Sequence, residues 1–224
     1  MHTPLADNFM MLFTGRFIWV PMYLAIALML LKTFGPRLTG IYILAIALAI
    51  TLTDQTCATL IRPLVARLRP SNIENPLSEL AILVDGYRGG RYGFPSCHSA
   101  NSFALAAFVC SLVRRPKIIA FMIGWAVLNS YTRLYLGVHY PGDLIVGAVI
   151  GSFFGYICYL AARRFAPTAR ETSLASMGNP LFNIPSGLQL SDGTPHSFGI
   201  TVGDLMISVG VGTIFYIIAM SLTA

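Results

Sequence analysis

The sequence predicts an all-α protein, a single membrane domain over residues 1–224 built as a six-helix bundle with a polar site at the membrane–water interface. Three observations predict it. Only 11% of the residues are charged while 55% are hydrophobic, and mean hydropathy is +0.69; soluble domains carry about 25% charged residues. The apolar residues fall into long blocks, and about 20 helical residues cross a hydrocarbon core of about 30 Å. The remaining polar residues gather at the ends of those blocks. This composition excludes a soluble enzyme, a disordered chain and a disulfide-rich secreted module.

Residues 4–14 mix Leu5, Phe9, Met10, Leu12 and Phe13 with Asp7 and Asn8, the pattern of a short interfacial helix. Spans follow at about 17–34, 39–61, 99–113, 118–136, 141–162 and 202–222. Each is helical because lipid offers the backbone of an isolated span no other partner. The first reaches roughly 27 Å at about 1.5 Å per residue. The third is short, so it extends at its N-terminus or sits where the site thins the bilayer. Residues 35–38, 114–117 and 137–140 are short connections. The segment 62–97 carries charges, glycines and aromatics, whereas 163–201 is rich in Gly, Pro and Ser and reads as a loosely structured loop. No cleavable signal peptide is expected, because residues 1–13 lack Lys and Arg. Cys57, Cys97, Cys110 and Cys158 show neither CxxC nor zinc-finger spacing, and the three inside apolar blocks read as small buried hydrophobes.

The net charge of +6 needs no nucleic-acid partner, since membrane proteins keep Lys and Arg on cytoplasmic loops facing anionic lipid. Counting spans puts eight Lys and Arg on one side and seven on the other. Setting aside Arg62, Arg69 and Arg133, which belong to a candidate anion site, leaves eight against four. The side carrying Arg37, Lys117 and Arg163 is then cytoplasmic, and the 62–97 segment faces outward.

Three polar clusters fall on that outer face. Arg62 to Pro70 closes the second span, Pro95-Ser96-Cys97-His98 opens the third, and Thr132-Arg133 with His139 to Asp143 joins the fourth to the fifth. If the helix continues to Pro70, Arg62 and Arg69 project from one face. Together with Arg133 they make a site for a polyanion, because guanidinium forks match phosphate oxygens. Ser96 and Cys97 lie where a helix begins, and its free N–H groups favour an anion. His98 and His139 can act on opposite sides of one phosphorus, and Asp143, four residues after His139, can fix its tautomer. Each piece has a plainer reading: an interfacial Arg snorkels to water, and Asp143 caps the fifth helix. Their coincidence on one side of a charge-poor chain favours a site.

These residues resemble the type 2 phosphatidic acid phosphatase superfamily, which includes the vanadium haloperoxidases. Its motifs K-x6-R-P, P-S-G-H and S-R-x5-H-x3-D correspond to Arg62-x6-Arg69-Pro70, Pro95-Ser96-Cys97-His98 and Thr132-Arg133-x5-His139-x3-Asp143. The spacings match, over about residues 62–143. Arg62 stands for Lys with a larger head of the same charge, Thr132 for Ser, and Cys97 for Gly, which puts a side chain where the anion approaches closely.

The resemblance implies a lipid phosphatase with His139 as nucleophile forming a phosphohistidine, Asp143 orienting it, and His98 as general acid. It implies that Arg62, Arg69, Arg133, Ser96 and the Cys97 N–H stabilise the phosphoryl charge. No metal or other cofactor is expected, since the arginines supply the cationic environment. The partners are a lipid bilayer and a membrane lipid phosphate: undecaprenyl diphosphate, a lipid A phosphate, phosphatidylglycerol phosphate or phosphatidate. The implied location is a bacterial inner membrane, with the site facing the periplasm or cell exterior. The stretch 71–94, with Tyr87, Arg88, Arg91, Tyr92 and Phe94, reads either as a lid over the lipid or as an interfacial loop. Asp54 either pairs with a site arginine or lines a polar cavity. The competing reading is a lipid-phosphate binder or transporter without turnover, for which Cys97 and Arg62 speak; the retained His98, His139 and Asp143 speak against it.

Overall fold

A computed structural model describes residues 2–165, 181–189 and 195–223. The fold is all-α. Helix α1 (Pro4–Phe13) starts at Thr3, whose hydroxyl accepts the Ala6 N–H at 3.2 Å. Helix α2 (Val20–Gln55) is followed by a π-helical stretch (Thr56–Ile61) and the short α3 (Arg62–Val65). Then come α4 (Cys97–Val113), α5 (Pro116–Tyr135), α6 (Pro141–Arg164) and α7 (Val202–Thr223). Three helical stretches, 17–65, 141–164 and 202–223, are long and apolar enough to cross a membrane. Together with an exposed belt of Leu24, Leu44, Ile145, Phe153, Phe215 and Leu222, they mark a membrane protein.

The two expected spans at 17–34 and 39–61 are the two helical arms of α2, joined at Gly35, whose φ of 75° and ψ of 172° are not helical. Glycine tolerates that φ, and Pro36 forbids a continuous helix because it lacks an N–H and its ring crowds the preceding turn. The short connection expected at 35–38 is this sharp kink. An expectation to be corrected lies beyond it. The helix carrying Arg62 does not run to Pro70. It widens into π geometry, with the Arg62 N–H bonded to the Cys57 carbonyl, where Pro63 would collide with a regular turn. It ends at Val65, and Ala66 turns left-handed with φ 47°. Also corrected is the expected loose loop at 163–201, which contains an antiparallel strand pair, β1 (Phe182–Gln189) with β2 (Pro195–Ile200), Phe182 opposite Ile200. Residues 166–180 and 190–194 lie outside the described residues.

One apolar core joins the helices, with Trp19, Met22, Phe108, Met122, Tyr159 and Met206 fully buried. Helix α4 is central, buried on every side, which explains its lack of an amphipathic stripe. Its contact with α6 sets the site. Gly147, Gly151 and Gly155 form a stripe at four-residue spacing against Ser96, Ala100 and Ala104 of α4. A Cβ on Gly151 would lie 1.9 Å from the Ala100 carbonyl oxygen, and one on Gly155 2.3 Å from that of Ala104. The backbones touch, as small residues allow between membrane helices. The opposite face of α6 exposes Ile145, Val149 and Phe153.

Candidate active site

The glycine stripe brings the N-termini of α4 and α6 side by side. The Ser96 N–H donates to the Asp143 carbonyl at 3.0 Å, and the Ser99 hydroxyl to the Leu144 carbonyl at 2.8 Å. Ser96 caps α4, its hydroxyl accepting the Ser99 N–H at 3.4 Å. Cys97 and His98, half-buried, occupy the first turn, where free N–H groups and the helix dipole favour negative charge.

Asp143 is fully buried in the first turn of α6. Its Oδ2 accepts the Tyr140 N–H at 3.0 Å and pairs with His139 Nδ1 at 3.1 Å, so it both caps the helix and orients the imidazole. Its Oδ1 is ion-paired with Arg67. The Arg67 guanidinium lies over the rings of Phe94 and Tyr140, 4.7 and 5.2 Å from their centroids. His139 is 2% exposed, and its Nε2 faces Arg69 Nη1 at 2.7 Å. Arg69 can only donate, so Nε2 carries the lone pair and the Nδ1 proton goes to Asp143. Burial first, then the charges of Arg69 and Arg133, hold the His139 pKa far below the usual histidine range, to about 2. Burial and the neighbouring charges of Arg62 and Arg133 likewise lower that of Arg69, to about 10.

Arg62 reaches the site from the π-helical turn, its Nη2 donating to the Pro95 carbonyl at 3.1 Å and to Cys97 Sγ at 2.8 Å. Arg69 reaches it from a non-helical segment beyond α3. Its N–H bonds to the Arg91 carbonyl at 3.1 Å, and Leu68 bridges to Tyr92. Arg133, 3% exposed on the last turn of α5, donates to Thr14 Oγ1 at 3.0 Å and to the Tyr87 hydroxyl at 3.1 Å. The structure thus gathers all eight residues singled out from the sequence. Among the described residues no carboxylate pairs with Arg62, Arg69 or Arg133, and the Nε of each is buried without a hydrogen-bond partner.

Sequence reasoning missed several contributors. Arg67 sits inside the Arg62-to-Arg69 motif, and its odd spacing from both hid its role. Thr14 and Tyr87 hold Arg133 from segments distant in sequence. Gly93 lets the 71–94 segment lie directly on the site, since a Cβ there would come within 3.2 Å of Asp143 Oδ2 and 3.1 Å of Arg69 Cγ. Asp54 accepts from Asn101 Nδ2 at 3.2 Å and lines a cavity beneath the site, rather than pairing with an arginine.

Residues 39–166 match the model of the PAP2 superfamily. The chain is 54% identical over 173 residues to a lipid A 4'-phosphatase of Bacteroides thetaiotaomicron, a match covering 77% of this chain and 76% of the relative. It is 35% identical to a lipid A 4'-phosphatase of Porphyromonas gingivalis, over 70% of this chain and 66% of the relative. It is 30% identical to an undecaprenyl-diphosphatase of Sulfolobus acidocaldarius, over 67% and 68% of the two chains.

Proposed function

Because the chain belongs to the PAP2 superfamily and is a membrane lipid phosphatase, we propose that it removes the 4'-phosphate of a lipid A molecule through a phosphohistidine on His139. The observation that carries this reading is the group of guanidiniums from buried Arg69 and Arg133 and half-buried Arg62, with which no carboxylate among the described residues pairs, around a histidine whose tautomer Asp143 sets. A phosphate dianion supplies the missing acceptors.

In the resting site Arg69 covers the lone pair of His139 Nε2. Substrate phosphate draws the guanidinium onto its own oxygens and frees Nε2. The lone pair then attacks phosphorus, an N–P bond forms, and the P–O bond to the sugar breaks. His98 gives its proton to the departing oxygen. Asp143 accepts a hydrogen bond from Nδ1–H throughout and stabilises the positive ring. Water then attacks phosphorus and gives a proton to His98, the N–P bond to His139 breaks, and orthophosphate leaves. Arginines carry the equatorial charge, so no metal step is invoked. With the site arginines set aside, the excess of Lys and Arg on the opposite face supports a site facing the periplasm or exterior, and the lipid A phosphatase relatives support a bacterial inner membrane.

The test is orthophosphate release by detergent-purified protein in EDTA from lipid A, undecaprenyl diphosphate, phosphatidylglycerol phosphate and phosphatidate. Release should be greatest from lipid A and absent with His139→Ala. Loss of activity in EDTA, or equal activity of the variant, overturns the mechanism; preference for another lipid overturns the substrate. Phosphate trapped on His98 instead of His139 reverses their roles.

A further inference from the structure

Beneath the phosphate site lies a cavity of about 690 Å³ between the two arms of kinked α2, α4 and α5. Its volume falls within the roughly 300–1,000 Å³ of small-molecule sites. Along α2 it extends from Trp19 to Leu30 on one arm and from Ile43 to Gln55 on the other. At about 1.5 Å per residue this is a depth of roughly 16–18 Å, close to one leaflet of a hydrocarbon core about 30 Å thick. Cys97 and His98 line its upper end, and Ile26, Leu30, Ile43 and Leu105 its floor. An acyl chain of a lipid held at the site fits this shape.

The wall between these ends is polar. Asn101 and Ser102 lie one helical turn below Cys97 and His98 on α4, and Asn129 lies one turn below Arg133 on α5, each about 6 Å deeper at 1.5 Å per residue. Asp54 joins them from α2. Asn101 Nδ2 donates to Asp54 Oδ1, and Asn129 Nδ2 donates to Ser102 Oγ at 2.7 Å. Each amide thus gives one N–H to a neighbour. Asn101 Oδ1 and Asn129 Oδ1 remain, buried and without a hydrogen-bond partner. Two orphaned acceptors beside a carboxylate match a ligand that brings donors.

We propose that this ring is a specificity subsite for a lipid carrying hydroxyl or amide N–H groups near the start of its acyl chain, such as an amide-linked 3-hydroxyacyl glucosamine, with that chain in the cavity. A polyprenyl chain has no polar atoms to offer here. An ester-linked unhydroxylated chain brings only further acceptors. Both leave Asn101 and Asn129 unsatisfied, and a site built to hydrogen-bond rejects an analogue lacking the group far more strongly than one differing in size. The assignment rests on the lipid-phosphatase reading, and it selects a substrate class within it.

The experiment compares two glucosamine 4-phosphates with chains of equal length, one amide-linked and 3-hydroxylated, the other ester-linked and unhydroxylated. Phosphate release is measured for the wild type, Asn101→Leu and Asn129→Leu. Binding is read separately on His139→Ala with brominated chains that quench tryptophan, since both tryptophans of the chain, Trp19 and Trp125, line the cavity. The wild type should prefer the hydroxyacyl amide in kcat/KM by about tenfold or more. The Leu variants should lose most of that preference through KM, and quenching by the amide should saturate at lower concentration. Equal kcat/KM in the wild type, a preference undiminished in both variants, or absence of quenching overturns the proposal. Selective quenching without phosphate release from either compound upholds the subsite while the proposed function fails.

Discussion

Arg67 is ion-paired with Asp143 through the oxygen that His139 does not use. The buried carboxylate is thus held from both sides, by an arginine stacked between Phe94 and Tyr140 and by the imidazole it orients. Arg67 touches no reacting atom in this arrangement and acts as a positioning residue. Arg67→Met should lower kcat about 10–100-fold, the usual cost of losing an outer partner of a site ligand, with KM little changed. Lys at this position, which keeps the charge, should restore part of the rate. A KM defect with normal kcat would instead place Arg67 on the substrate.

Gly151 is the point of closest approach between α4 and α6. Gly151→Ala puts a methyl into the Ala100 carbonyl and should cost at least about 1–3 kcal/mol, the range for overpacking, and separate Ser96 from Asp143. Gly212→Ala, where nothing lies within 4 Å of the added carbon, serves as the control and should be neutral. Thermal unfolding in detergent, together with activity below the midpoint, checks both.

The depressed His139 pKa fixes how stability responds to acid. Burial, then the charges of Arg69 and Arg133, keep the native imidazole neutral, whereas the unfolded chain protonates near pH 6.5. Above that pH neither state carries the proton and the full stability is present. As pH falls below it the unfolded state gains protons that the native state refuses, and stability declines by up to about 1.4 kcal/mol per pH unit. The midpoint of the wild type should therefore fall more steeply with acid than that of His139→Gln. Parallel curves would show that this imidazole is accessible to protons in the fold. Orthophosphate, by neutralising the arginines, should make the wild-type curve shallower.

Cys97 holds Arg62 Nη2 through its sulfur, at the edge of the phosphate site and on the cavity wall. A methylthiolating thiosulfonate, which caps the thiol as a methyl disulfide, should inhibit the enzyme about tenfold or more, given that truncating or blocking one preorganised donor costs factors of 10²–10³ elsewhere. Orthophosphate should protect, reductant should reverse the loss, and Cys97→Ala should be insensitive. Inhibition that persists in Cys97→Ala would point to Cys57 or another thiol.

Most of the site was legible because its chemistry is written as local spacing. His139 and Asp143 are four residues apart on one turn, and Ser96 to His98 open a helix, so neither depends on distant contacts. Arg62 and Arg69 were legible as a pair but not in their geometry. Pro63, only one residue into the motif, breaks the helix that the seven-residue spacing assumed. Arg67, Gly93, Thr14 and Tyr87 were hidden because their roles arise from segments folding onto one another. The apolar blocks were plain in composition, and the break between the first two at Gly35 was legible in its Gly-Pro pair. The strand pair at 182–200 was missed because Pro185, Ser186 and Gly187 within its first strand read as loop.

The kink at Gly35 divides labour along the chain. Every residue placed in the chemistry lies between 62 and 143, inside the stretch 39–166 that matches the family. The outer arm of the cavity, from Trp19 to Leu30, lies before it. Part of the wall around a lipid tail is therefore encoded apart from the phosphorus chemistry, while the polar ring of Asp54, Asn101, Ser102 and Asn129 is encoded with it. Mutation in the first arm can redraw the shape offered to a lipid tail while leaving the phosphorus chemistry intact, so a new lipid can be acquired without reinventing the reaction.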